Sequence, residues 1–277
     1  LAAQQLVNNR GRRVTTPAEN ERMNMTESAA SIKEPGIVIR PLHEAHEMRF
    51  GVELQQRVWG YSDIDTVPEQ MFIVANESGG QVLAAFHRDK PIGFALAFAG
   101  LYCGKIYLHS HMVAVVPEYQ DHGVGRLLKL AQRDDAVARG IDLIGWTFDP
   151  LQLKNAHFNL VRLGAIVRRC IPNCYGRTSS PLHAGLPTDR LVAEWWVRSA
   201  RVNGVLNGKA HTPAPDAPRI SIPASIRQIC LSNPSEAEEI QSKVLAQFES
   251  HIAAGRAALG FELNGQQGSY ILEPYED

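Results

Sequence analysis

Val113-Ala114-Val115-Val116-Pro117-Glu118-Tyr119-Gln120-Asp121-His122-Gly123-Val124-Gly125-Arg126 carries the chain from an apolar strand, through a proline and a tight polar turn, into a helix. A helix that opens this way exposes backbone N–H groups that have no partner within the helix, with the positive end of its dipole behind them. That combination is an anion site. Glycine at 123 and 125 removes the side chains that would hold a phosphate away from the backbone. No Gly-Lys-Ser/Thr follows, so this is not a Walker loop. No third glycine falls at the offset of a dinucleotide fingerprint.

Downstream of the turn, Val124, Leu127, Leu128, Ala131 and Ala138 keep a helical period up to Gly140. A strand over Ile141 to Phe148 follows, then a helix over Leu151 to Leu163 closed by Gly164, then a strand over Ala165 to Tyr175. Upstream lie three β-rich runs, Gln81 to His87, Pro91 to Leu101 and Lys105 to Val116, whose short gaps predict antiparallel neighbours. Before them come a strand at Ile37–Pro41, a helix over Glu44 to Trp59 and a short helix entered at Pro68. The predicted fold is α/β, a mixed and largely antiparallel central sheet flanked by helices. A Pro-rich linker at Thr212 to Pro223 precedes an Ile-Arg-Gln-Ile strand, a helix over Pro234 to Ala254 and two strands, Ala258 to Leu263 and Ser269 to Leu272. The expected organisation is therefore a flexible arm over 1–35, a main domain over 36–200, and a small α+β appendage over 201–277 packed on it.

With 28 basic and 29 acidic residues in 277, the chain lacks the positive footprint of a nucleic-acid binder. No apolar run reaches the roughly 20 residues of a membrane span, and the cytoplasm is the default compartment. Cys103, Cys170, Cys174 and Cys230 make no disulfide framework. Cys170 and Cys174 with a nearby histidine such as His183 could suggest zinc, but a lone Cys-x3-Cys pair is read as thiols, so no metal is expected.

The Gln120-x-x-Gly123-x-Gly125 pattern after Val-x-Pro-Glu-Tyr resembles the CoA-binding motif of the GNAT acyltransferase superfamily. Asn155-Ala156-His157-Phe158-Asn159, running into Leu163-Gly164-Ala165, resembles that superfamily's second cofactor motif, and together the likeness covers about residues 37 to 176. The Trp146-Thr147-Phe148-Asp149-Pro150-Leu151 run is similar to a branch with a C-terminal appendage, some of whose relatives are associated with N-succinylation of amino acids. The resemblance implies that the backbone amides of Gln120, Asp121, His122, Gly123, Val124, Gly125 and Arg126 hold a pyrophosphate. It also implies that Val115 pairs with the pantetheine arm and that Asn155, with Asn159 nearby, touches the cofactor. Asp121 departs from the neutral or basic residue usual there, and Leu160 stands where a tyrosine is usual.

Acyl transfer from a thioester to an amine requires loss of a proton from the amine and a donor for the oxyanion. By the resemblance, the oxyanion donor is the Val113 amide, and His109 stands where some relatives carry a glutamate base. His109 and His111 share one strand face, and an imidazole suits proton removal near neutrality; both are equally readable as inert strand residues. Tyr175 is an alternative acid for the thiolate, which leaves well without one. Trp59 and Tyr61, with Glu53 and Asp63 nearby, are candidates for the acceptor pocket, and Arg168 or Arg169 for a carboxylate on acceptor or donor. Trp195-Trp196 reads as core or interface.

The expected activity is CoA-dependent N-acyl transfer to a small amine or amino acid by direct attack in a ternary complex, since no nucleophilic cysteine motif is present. Acetyl-CoA is the default donor and succinyl-CoA its rival; a homodimer is left open. Two alternatives stand beside it: an inactive acyl-CoA-binding regulatory or scaffold protein, and a nucleotide-binding protein using the same loop.

Overall fold

The computed structural model describes residues 36–176, 185–209 and 211–275; the expected arm over 1–35 and His183 of the zinc grouping lie outside them. The chain begins with β1 (Ile37–Pro41), α1 (Ala45–Trp59) and α2 (Glu69–Glu77), followed by β2 (Gln81–His87), β3 (Lys90–Tyr102) and β4 (Lys105–Val115). Next come α3 (Val124–Ala138), β5 (Leu143–Phe148), α4 (Leu153–His157), β6 (Ile166–Ile171), β7 (Arg190–Trp196) and α5 (Ala200–Leu206). The last part holds β8 (Arg219–Pro223), α6 (Ile226–Ser232), α7 (Pro234–Ala253), β9 (Arg256–Leu263) and β10 (Gln267–Pro274).

The strands form one ten-stranded sheet in the order β1-β2-β3-β4-β5-β7-β6-β9-β10-β8. Every neighbouring pair is antiparallel except β4 with β5. That one parallel junction follows from the α3 crossover, since parallel neighbours need a long connection. Among the described residues, two large apolar clusters and a small third of Ile166, Ala257 and Leu259 pack on the sheet. One of the large two gathers Met48, Leu54, Phe72, Phe94 and Leu96 from the N-terminal elements; the other gathers Trp146, Phe148, Trp195, Phe248 and Tyr270. α3 joins both, placing Leu128 in the first and Ala136 in the second.

Four local expectations change. Residues 226–229, expected as a strand, lie in helix α6; Ile226 and Ile229 are three apart, a spacing that also fits one helix face. The linker expected to run to Pro223 ends earlier, because Ile220 and Ile222 alternate with Ser221 and pair with β10 as β8. The helix expected over 151–163 is α4 followed by a π-helical turn, Phe158–Arg162. The strand expected over 165–175 ends at Ile171. The C-terminal strands continue the sheet through β6 and β9, where Val167 faces Ala258.

Candidate active site

Pro117–Tyr119 form a 3-10 turn that fixes the start of the loop. Tyr119 N–H donates to the Val116 carbonyl at 2.9 Å and Gln120 N–H to Pro117 at 3.2 Å, so the Gln120 amide is used within the turn. Tyr119 also ties its hydroxyl to His87 Nδ1 at 2.7 Å, and Glu118 pairs with Arg57. Asp121 (φ 61°) and Gly123 (φ 83°) then swing the chain through the left-handed region into α3. The first helical bond runs from Leu127 N–H to the Gly123 carbonyl at 3.0 Å. Among the described residues, no protein acceptor meets the amides of Asp121, His122, Gly123, Val124, Gly125 or Arg126. A Cβ added at Gly123 or Gly125 would meet nothing within 4 Å. The turn therefore presents a run of free donors to open space.

The loop's side chains have partners of their own or are buried. Asp121 is 85% exposed and its carboxylate lies 3.6 Å from Lys154 Nζ on α4. His122 is exposed, with Nδ1 at 2.7 Å from the Gln120 carbonyl. Val124 is buried in the N-terminal core, leaving only its amide to the site. Arg126 holds a buried Nε with no partner in the protein. Gln120 Nε2 donates to the Val115 carbonyl at 2.9 Å.

β4 and β5 pair only at Leu108 with Ile144 and His109 with Gly145. Beyond Ser110 they part, and β4 continues against β3 alone. Backbone groups alternate sides along a strand. Val116 N–H donates to Ile92 at the end of β3's row, whereas the Val115 carbonyl receives Gln120 from the other side. By this alternation the backbone groups of Val113 and Val115 point into the gap between the strands.

The gap opens into a cleft of about 490 Å³ that Val113, Asn155 and Asn159 border on one side and Trp59, Tyr61 and Tyr175 on another. Asn159 sits in the π-helical turn, where Ala165 N–H bonds to its carbonyl. Its side chain is 1% exposed, and its Nδ2 has no partner in the protein. A buried amide left unpaired is costly unless something else meets it. Leu160, one residue on, is packed in the core. Tyr175 shares a hydrogen bond with Thr147 Oγ1 at 2.9 Å.

His109 does not line the cleft; its ring stands between Tyr107, 6.5 Å away, and His111, 6.1 Å away. Burial, then the His111 and Lys129 charges, lower its pKa to about 4. His111 does line the cleft; it is exposed, and partial burial lowers its pKa. The third basic group here, Lys129, escaped the sequence reading. It is 3% exposed, donates from Nζ to Ser110 Oγ at 3.0 Å, and lies 3.7 Å over the Trp146 ring. Ser110 in turn donates to Gln132 Oε1 at 3.0 Å. Burial pulls the lysine pKa down to about 7. A signal was present in the sequence, because Lys129, Gln132 and Ala136 repeat at i, i+3, i+7 beside the apolar stripe.

At the acceptor end, Trp59 and Tyr61 pack with ring centroids 5.4 Å apart. Glu53 is exposed on α1, and Asp63 accepts from Gln56 at 2.8 Å; neither borders the cleft, whereas Asp65 does. Arg168 is turned to Glu194, with Nη2 to Oε2 at 2.6 Å, and lies outside the cleft. The cleft's guanidinium is that of Arg190, next to the Tyr175 ring. Trp195 is fully buried and donates to the Leu163 carbonyl at 2.7 Å.

Residues 42–164 match the model of the Acetyltransferase (GNAT) family. No curated protein sequence matches the chain. Solved structures similar to it include Arabidopsis thaliana Naa50 in complex with the bisubstrate analogue CoA-Ac-MVNAL, at 15% identity and a TM-score of 0.46 over 57% of this chain and 97% of that one. Another is the ribosomal-protein-S18-alanine N-acetyltransferase from Escherichia coli, at 20% identity and TM-score 0.46 over 59% and 96%. A GNAT family acetyltransferase from Elizabethkingia anophelis with acetyl-CoA bound shows 11% identity and TM-score 0.46 over 59% and 99%.

Proposed function

We propose, from the match of residues 42–164 to the model of the Acetyltransferase (GNAT) family, that the protein transfers an acyl group from a CoA thioester to the amine of a small molecule or amino acid. The observation that carries the reading is the run of unpartnered amides from Asp121 to Arg126 over open space at the head of α3. Those amides receive the diphosphate. The backbone of Val115 lies along the pantetheine arm, and the Val113 amide polarises the thioester carbonyl where β4 and β5 part. The amine enters between Trp59, Tyr61 and Tyr175 and attacks directly.

Acetyl-CoA is the first donor to try and succinyl-CoA the second. Neither a metal nor a cofactor other than the CoA thioester is required.

Thermal shift of the full chain with CoA, acetyl-CoA, succinyl-CoA, ATP and NAD, followed by a donor-by-acceptor screen of CoA release, tests this. CoA compounds at about 100 times Kd should stabilise the fold by about 2.7 kcal/mol. Stabilisation by ATP with none by CoA overturns the proposal. Stabilisation by CoA with no transfer to any acceptor favours the inactive acyl-CoA-binding alternative.

A further inference from the structure

A lysine inside a protein ordinarily meets a carboxylate, because an unpaired buried cation is costly. Lys129 meets none among the described residues: it forms no ion pair, and its nitrogen touches Ser110 Oγ, the Trp146 ring and, at 5.6 Å, the Trp195 ring. The ionisable groups facing it are His109 and His111 on β4, with Asp65, Tyr61, Tyr175 and Arg190 around the same cleft. The hydrogen-bond chain has one direction. Gln132 Oε1 only accepts, so the Ser110 hydroxyl donates to it and turns its oxygen lone pairs to the lysine. One lysine N–H is thereby anchored, and Lys129 is one of the residues that line the cleft.

Resting on the acyltransferase reading of this cleft, we propose that Lys129 is its general base, an uncharged amine that takes a proton from the acceptor's ammonium. The proton passes from R–NH3⁺ to Nζ, leaving R–NH2 and a lysine ammonium. The freed amine forms the C–N bond at the thioester carbonyl. Collapse breaks the C–S bond, and the nitrogen's second proton goes to the departing thiolate to give CoA–SH. Lys129 then releases its proton to solvent through the cleft. The sum is R–NH3⁺ plus acyl-CoA giving amide, CoA–SH and one proton. Desolvation, which holds the lysine near pH 7, keeps much of it uncharged where the enzyme works. The Trp146 ring steadies the ammonium formed in the first step.

The test compares wild type, K129M, K129R and His111→Gln in kcat/KM against pH, measured by CoA release with CoA affinity followed by calorimetry. Wild type should rise about tenfold per pH unit below about pH 7 and level off above it. K129M and K129R should lose about 100-fold or more at about pH 7.5 while holding CoA within about threefold, since a guanidinium does not give up its proton. A K129M enzyme within about fivefold of wild type, or one that keeps the inflection while His111→Gln loses it, overturns the base role. Titration of wild type labelled with ¹³C at lysine Cε supplies a readout apart from turnover. One resonance should titrate near 7 and vanish in K129M, and a Lys129 that titrates above about 10 overturns the proposal. A wild type that binds CoA and transfers nothing overturns the acyltransferase reading and this role with it. A wild type that transfers, matched by K129M, overturns this role alone.

Discussion

Two side chains one strand and one helix apart show how burial sorts basic groups. His109 and Lys129 both lose water, and both have depressed pKa values, to about 4 and about 7. At neutral pH the imidazole holds no proton and has little affinity for one, whereas the amine is poised to accept. The same shift makes His109 a pH sensor of stability. Its folded pKa lies below the ordinary 6.5, so between those values the unfolded chain binds more protons than the native one. Its neutral form supports the fold fully above pH 6.5, and that support is lost as pH falls from 6.5 toward 4. The melting temperature of wild type should accordingly fall more steeply than that of His109→Gln as the pH is lowered from 7 to 4. Parallel curves from pH 7 to 4 would contradict this.

At the scale of elements, the loop into α3 separates two glycines by task. Gly123 has φ 83° and needs glycine for conformation; Gly125 lies within the helix and needs it only for space. Gly125→Ala should raise stability by about 0.5–1 kcal/mol, as alanine does in helices, yet weaken CoA binding by placing a methyl where the diphosphate sits. Gly123→Ala should cost about 1–2 kcal/mol of stability. Denaturation and calorimetry on both variants check the split; tighter CoA binding by Gly125→Ala would refute it. The loop was legible in the sequence because a β-branched run, a proline and two glycines each demand a definite backbone. So were the strands from 81 to 115, whose turns are short and polar. The region near 220 was less so, since prolines at 218 and 223 hide an alternation only three residues long, and Ile226 and Ile229 satisfy either period. Lys129 was missed because its charge reads as surface, although its helical spacing with Gln132 and Ala136 places it on the face that packs against β4 and β5. Arg190 was passed over for Arg168 because sequence spacing does not tell which arginine an adjacent strand's glutamate will take.

At the scale of the molecule, the C-terminal strands hold the cleft wall that carries Asn155. Tyr270 donates to the Pro150 carbonyl at 2.8 Å, and Leu153 packs against Gly268 and Phe261 just ahead of Asn155. Phe248 lies in the same core as Trp146, its ring 5.0 Å from Tyr270. Phe248→Ala should therefore cost about 3–5 kcal/mol and shift the midpoint of a single denaturant transition with its slope unchanged. A separate early transition confined to the last 70 or so residues would show instead that this part folds by itself. The parting of β4 and β5 has a mechanical meaning at this scale. Each lip of the opening is rooted in a different apolar core, and across the sheet the lips are stitched by two residue pairs. A molecule gripping both lips bridges the seam, so its binding energy clamps the two halves together. On the proposed function, the reacting carbonyl would be seated at the vertex, where the least relative displacement of the jaws would reach it.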